Sequence, residues 1–257
     1  MPARSFERRR AQACHLTADV PEPSIGRASS FNLLMRTVSD ETQNTRGAFR
    51  APFAVADAPK QVGRIGSSAV TQTIQALEER LGADGAAEFL TRHDLARLRE
   101  TAPGETVDEA SFRDLIRALL DEFGPTLTGS LSRRAGKLTA DILLANWLRG
   151  PIRPVIRALK GRVGPSLGPR LALVQLEKHA AAIAGSGEFR YDLQPFTRIV
   201  IGNAFLREDA AVAAVVCQYD QGIVERFFRV LVSDEAMLRE DRCQARGEST
   251  CAYRIVW

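Results

Sequence analysis

Cys217, Glu240, Cys243 and Cys251 are the residues of this chain whose types and spacing could do chemistry. The last three read as E-x2-C-x7-C, with a turn expected at Gly247–Glu248 between the two cysteines and Cys217 approaching from further upstream. Three thiolates and a carboxylate can close a four-ligand zinc site, because zinc accepts mixed sulfur and oxygen donors in a tetrahedron. If the turn centres on Gly247, Cys243 and Cys251 stand opposite one another, and opposed β-carbons lie about 4.5 to 5.5 Å apart. Glu240 and Cys243 differ by three positions, which places them on opposite faces of a regular strand, so a bulge or a strand entry before Cys243 is required. On residue chemistry alone other readings stay open. Cys217 could be a small buried apolar residue beside Val215 and Val216, Cys243 and Cys251 a free thiol pair or a cross-strand disulfide, and Glu240 a solvated charge.

The elements that would position these residues follow from periodicity. Ile65, Ala69, Ile74, Leu77 and Leu81 share a helical face that Gly82 is expected to end. Further helices are expected over 86–99, 107–123 and 128–148, with Gly124-Pro125 separating the last two because proline lacks an amide donor and restricts the preceding residue. Residues 151–160 set Ile152, Val155, Ile156 and Leu159 against Arg153, Arg157 and Lys160, an amphipathic and basic pattern. An apolar run spans 171–183. Strands are expected over 188–193 and 197–206, a helix over 210–232, and a strand, turn and strand over 237–257. Helices followed by an antiparallel sheet with one embedded helix define an α+β domain. Residues 1–60 show no sustained period and read as a flexible or loosely packed extension. The domain is then 61–257, with a helical part over 64–184 and a sheet-containing zinc part over 187–257.

Composition excludes several classes. No apolar run reaches the length of a membrane span, and the basic start is not followed by the apolar stretch of a secretory signal, so a cytoplasmic address is expected. Charge is polarised: residues 78–122 carry twelve acidic and six basic side chains, whereas 131–170 carry nine basic ones and only Asp141 as an acid. That basic stretch holds Trp147 as its one aromatic residue, too few for a nucleic-acid stacking platform. It could instead meet carboxylated ligands or an anionic membrane surface. The glycines at 161, 164 and 168 lack dinucleotide-binding spacing, and no nucleotide or iron–sulfur motif is evident.

The chain from Gly63 to Trp257 resembles the bacteriochlorophyll 4-vinyl reductase family and its V4R domain. The resemblance is carried by Gly63-Arg64-Ile65-Gly66, by Cys217-Gln218-Tyr219-Asp220-Gln221-Gly222, by Glu240-Asp241-Arg242-Cys243 and by Gly247-Glu248-Ser249-Thr250-Cys251-Ala252-Tyr253-Arg254-Ile255. It implies a V4R-type ligand-binding domain, a fold also related to vesicle-tethering subunits and haem-based gas sensors. N-terminal helices would pack on an antiparallel sheet with a zinc-fastened C-terminal hairpin. In zinc-bearing members that sense phenols, the positions matching Cys217, Glu240, Cys243 and Cys251 bind the metal. The family name implies reduction of a C8 vinyl group on divinyl chlorophyllide or a magnesium porphyrin. The residues leave open whether catalysis occurs, and they favour a tetrapyrrole carrier or accessory protein, with a small-molecule sensor for an aromatic effector as the alternative.

A site of that kind needs an apolar cavity and a positive mouth. Trp147, Phe189, Tyr191, Phe196, Phe205, Phe227 and Phe228 are candidates for the first, and Arg149, Arg153 and Arg157 for the second. His93 and His179 are candidate axial ligands of a chelated magnesium. Arg239, Arg242 and Arg246 are candidates to offset the charge of the thiolates. Expected partners are a tetrapyrrole or other apolar small molecule, enzymes of the magnesium branch, a second copy of the chain, and peripheral contact with the photosynthetic membrane.

Overall fold

The computed structural model describes residues 63–148, 167–202 and 205–257. The extension over 1–60 and the amphipathic stretch over 151–160 lie outside the described residues.

Strand β1 (Arg64–Gly66) leads into helix α1 (Ser67–Arg92), and β2 (Thr106–Asp108) leads into α2 (Glu109–Trp147); β1 and β2 pair antiparallel. Three-residue strands are too short to show a period, which is why neither was legible in the sequence. Gly82 and Gly124 break the helical path where expected: each takes a positive φ, 79° and 72° respectively, and a second helical segment starts beyond it. Glycine reaches that region without steric cost, so the backbone turns sharply, and at Gly124 the following Pro125 starts the new helix where its missing amide donor is harmless.

Helical residues 167–178 (α3) and α4 (Ala180–Ala184) follow, divided at His179. The sheet is then built from β3 (Glu188–Asp192), β4 (Arg198–Gly202), β5 (Met237–Arg242) and β6 (Thr250–Val256), in the order β3-β4-β6-β5 with every pair antiparallel. Between β4 and β5 runs α5 (Ala210–Leu231), which is buried along most of its length. Strand β4 is shorter than expected, because Phe205–Arg207, at the end of the span expected to be strand, forms a 3-10 turn ahead of α5.

Helix α5 is the element that positions the site. It crosses α2 at close range, with Gly136 facing the Tyr219 backbone, Gly222 facing the Arg133 carbonyl, and Ser132 Oγ donating to Val215 O at 2.9 Å. Asp209 caps its N-terminus, accepting from Ala211 N at 2.9 Å and Val212 N at 3.3 Å, and pairs with Arg117 at 2.9 Å. The Arg117 hydrogen bond holds the Asp209 carboxyl below its ordinary value of 3.8, with the two backbone donors adding to it against partial desolvation. Asp209→Ala is therefore expected to cost about 1 kcal/mol in urea unfolding at neutral pH. Because the folded value is depressed, this contribution is present above the unfolded value and fades as pH falls through the folded one. The gap between wild type and variant should close only in strong acid.

Candidate metal centre

Cys217 lies in the middle of α5, on the face turned to the sheet. Cys251 is the second residue of β6, paired to Ile201 of β4, and Cys243 follows β5 directly at the start of the Gln244–Arg246 turn. Glu240 lies within β5, and the β5–β6 register shifts between Glu240 and Arg242. That irregularity brings residues three apart to one side of the sheet, which a regular strand forbids. One ligand atom from each of Cys217, Glu240, Cys243 and Cys251 lies within 4.8 Å of all the others. The three cysteines are free thiols and all are buried, so the disulfide reading does not hold. Cys217 Sγ stands 3.2 Å from Cys251 Sγ and 3.8 Å from Cys243 Sγ.

Two observations fit this cluster to a metal ion. The Glu240 Oε1 atom is buried with no hydrogen-bond partner, a costly arrangement unless a cation satisfies it. The thiols also compete for one negative charge. Hydrogen bonds from Cys217 and then Cys243 hold the Cys251 thiol down, while contacts with Cys243 and Cys251 and burial push Cys217 up. A shared cation removes that competition, since metal-bound sulfur is deprotonated outright.

Around the cluster is a buried polar group that sequence reading missed. Arg207 Nη1 donates to Cys217 Sγ at 3.1 Å and to Cys251 Sγ at 3.0 Å, and its Nη2 pairs with Asp220 Oδ2. Tyr253 Oη approaches the same Asp220 oxygen at 3.5 Å. Desolvation pushes Asp220 up to about 7 against the pull of Arg207. A signal existed: Asp220 follows Cys217 by three on an apolar helix, and Tyr253 follows Cys251 by two on a strand, so each shares a face with a thiol. The charge-offsetting role expected of Arg239, Arg242 and Arg246 falls mainly to Arg207. Only Arg246 approaches the cluster, 3.7 Å from Glu240 Oε2, while Arg239 and Arg242 are exposed.

The remaining candidates do not converge. Phe227 and Phe228 are core residues, while Trp147, Phe189 and Tyr191 pack partly buried against the core. His93 caps α1, with Nε2 at 2.9 Å from Glu122 Oε2 and its ring 4.7 Å from that of Phe89. His179 is half-buried between α3 and α4, and burial lowers its pKa. Arg149, Arg153, Arg157 and the side chain of Phe205 lie outside the described residues. Phe196 is 38% exposed, with Arg254 at 4.5 Å and Arg198 at 5.8 Å from its ring centroid. It lines an open groove of about 490 Å³ with Pro169, Arg170, Thr197, Ile255 and Trp257, at the far end of β6 from Cys251.

The fold and site therefore define a helix-rich protein with a small antiparallel sheet and a buried Cys3Glu cluster able to hold a metal ion. No family model matches the chain. It is 33% identical over 192 residues to the bacteriochlorophyll synthase 23 kDa chain of Rhodobacter capsulatus, covering 74% of this chain and 85% of that one. It is 29% identical over 202 residues to the chain of the same name from Cereibacter sphaeroides, covering 77% and 93%. The protein belongs to the family of the bacteriochlorophyll synthase 23 kDa chain.

Solved structures similar to this chain are H-NOX proteins. One from S. oneidensis in the Fe(II)NO ligation state is 11% identical, with a TM-score of 0.49 over 75% of this chain and 98% of that one. A variant from K. algicida is 10% identical, with a TM-score of 0.47 over 74% and 95%. An oxygen-binding H-NOX domain related to soluble guanylate cyclases is 15% identical, with a TM-score of 0.43 over 74% and 93%. The curated relatives are named as synthase chains rather than 4-vinyl reductases, which corrects the name carried by the resemblance drawn from sequence. None of these proteins is named as a V4R domain, a vinyl reductase or a carrier of divinyl chlorophyllide or a magnesium porphyrin, and those expectations are not kept. What the solved structures bind is a property of those proteins. Among the described residues, no helix is long and apolar enough to cross a membrane.

Proposed function

We propose that this chain is a binding module fastened by one structural zinc ion, which receives a small aromatic molecule in the manner of a sensor domain. The observation that carries the reading is the closure of the cluster: Cys217, Glu240, Cys243 and Cys251 supply four donors within 4.8 Å of one another. A tetrahedron of sulfurs around zinc has edges of about 3.8 Å, given Zn–S near 2.3 Å; the Cys217–Cys243 separation of 3.8 Å matches this, and the Cys217–Cys251 pair, at 3.2 Å, must open to admit the ion. Four protein donors leave no position for substrate, so the ion holds α5 to the β5–β6 hairpin and performs no Lewis-acid step. The ligand class is supported by the groove beside Phe196 and Trp257, where exposed rings stand next to Arg170, Arg198 and Arg254. Such a surface suits a flat aromatic anion. The setting comes from the relatives, whose name is that of a bacteriochlorophyll synthase chain, and we assign this module to the same process as a chain that binds.

Purified protein should contain one zinc per chain by elemental analysis, and Glu240→Ala should lower that content. Anilinonaphthalene sulfonate, an aromatic anion, should bind saturably, and Phe196→Ala should weaken it about tenfold, the equivalent of one lost aromatic contact. Metal-free protein of unchanged stability would overturn the zinc reading, and binding insensitive to Phe196 would overturn the groove.

A further inference from the structure

We infer that Arg207 is the positioning residue of the metal centre, a buried guanidinium that bridges two metal-bound sulfurs and sets the electron density they give to the ion. This rests on the zinc reading above and deepens it. Three thiolates and a carboxylate around a divalent cation leave two negative charges in excess, inside a part of the protein where charge is costly to bury. Arg207 is 1% exposed at its side chain, and its partner Asp220 is fully buried. A guanidinium so placed is costly to bury unless anions accept its donors, and here both Nη groups find them while Nε has no partner among the described residues. Asp220 takes one end, and Nη1 divides its hydrogens between Cys217 Sγ at 3.1 Å and Cys251 Sγ at 3.0 Å. Neutral thiols are weak acceptors, whereas metal-bound thiolates are strong ones, so the geometry suits the loaded site. The other cation near the cluster, Arg246, is 43% exposed and meets the carboxylate rather than a sulfur. Arg207 alone among the described residues has hydrogen bonds to two of the sulfurs through a charged group.

The fork matters as much as the charge. A guanidinium is planar, carries several fixed donors, and can hold one carboxylate and two sulfurs at once, whereas a lysine ammonium is a point charge on a flexible stem. Asp220 in turn aims the fork, because its Oδ2 holds Nη2 while Nη1 meets the two sulfurs. Both residues come from sequence neighbourhoods tied to the site: Arg207 from the turn that feeds α5, and Asp220 from the turn of α5 after Cys217.

Cobalt is the probe. Wild-type protein stripped of metal and loaded with Co(II) should show an intense near-ultraviolet sulfur-to-metal charge-transfer band. In Arg207→Gln that band should move to lower energy, because a thiolate that loses its N–H donors gives up an electron more readily. Affinity for Zn(II), measured by competition with a chromophoric chelator, should fall about 10- to 100-fold. Arg207→Lys, which keeps the buried charge and its donors without the fork, should retain part of the affinity and show a smaller shift in the same direction, and it carries the test should Arg207→Gln fail to fold. An unchanged band and affinity in the lysine variant would overturn the role of Arg207 while leaving the metal site standing. A wild-type protein that takes up no cobalt would overturn the metal reading itself, and the inference with it.

Discussion

Cys251→Ser should release the metal and lower stability by about 4 kcal/mol or more, the range reached when a metal is lost from a folded domain. Cys251 is fully buried and is the thiol on which the other contacts converge: Cys217 Sγ at 3.2 Å, Arg207 Nη1 at 3.0 Å and Gln244 N at 3.3 Å all reach its sulfur. A serine hydroxyl is shorter, is not ionised at neutral pH, and is a poor zinc ligand. The remaining three donors cannot complete a tetrahedron, and Arg207 then faces a site that has lost both its cation and one anion. The large apolar core of α1, α2 and α5 persists, so the variant should be weakened rather than unfolded. Hydrogen exchange should rise first in β5, β6 and the Gln244–Arg246 turn. A chelator should bring wild type down to the midpoint of the variant and leave the variant itself unmoved. Equal midpoints for wild type and variant would show that the cluster does not fasten the fold.

Much of that site was legible because its chemistry is carried by residue types that are scarce here. The chain has four cysteines, and two of them bracket a turn whose Gly247 takes a φ of 88°. The parity conflict between Glu240 and Cys243 called for a bulge or a strand entry before Cys243, and the register shift between Glu240 and Arg242 is the first of these. Arg207 was not legible for the opposite reason: arginines are common in this chain, and nothing in the composition of the Phe205–Arg207 turn distinguishes a buried fork from a solvated charge. Asp220 offered more, since a carboxylate in the middle of an apolar helix must find a partner. The helix breaks at Gly82 and Gly124 were legible, since a positive φ interrupts the helix at each and a second helical segment follows. The end of the segment after Gly82 was not: α1 stops at Arg92 and Ala96–Glu100 forms a 3-10 turn where the helix was expected to run on. The groove at Phe196 was invisible as a whole, because it joins the start of α3, the β3–β4 connection and the end of β6.

Gly136→Ala should be the most damaging single-methyl addition to the helical part. A β-carbon at Gly136 would overlap the Tyr219 carbonyl oxygen and lie 3.0 Å from Tyr219 C and 3.1 Å from Ile223 N. These are backbone atoms of α5, which cannot turn aside as a side chain does, so the two helices must separate. Gly222 faces the Arg133 carbonyl in the same crossing and leaves no slack. Separation would loosen the hydrogen bond of Ser132 Oγ to Val215 O and that between Thr139 Oγ1 and Tyr219 Oη, at 2.9 and 3.0 Å. Overpacking of this kind costs about 3 kcal/mol or more when backbone must move. Gly124→Ala supplies the comparison, because its β-carbon would meet nothing within 4 Å and only the positive φ of 72° is at stake. That change should cost about 2 kcal/mol, because φ 72° with ψ 173° is a conformation that side chains other than glycine hardly adopt. Since Cys217 sits on α5 two residues before Tyr219, a shifted helix should also displace one sulfur from the cluster. Gly136→Ala is therefore expected to weaken cobalt binding as well as lower the unfolding midpoint, and Gly124→Ala to leave cobalt binding alone. A Gly136→Ala protein as stable as the Gly124→Ala protein would mean that α2 and α5 do not cross at the distance described, and that the placement of Cys217 is not set by this contact.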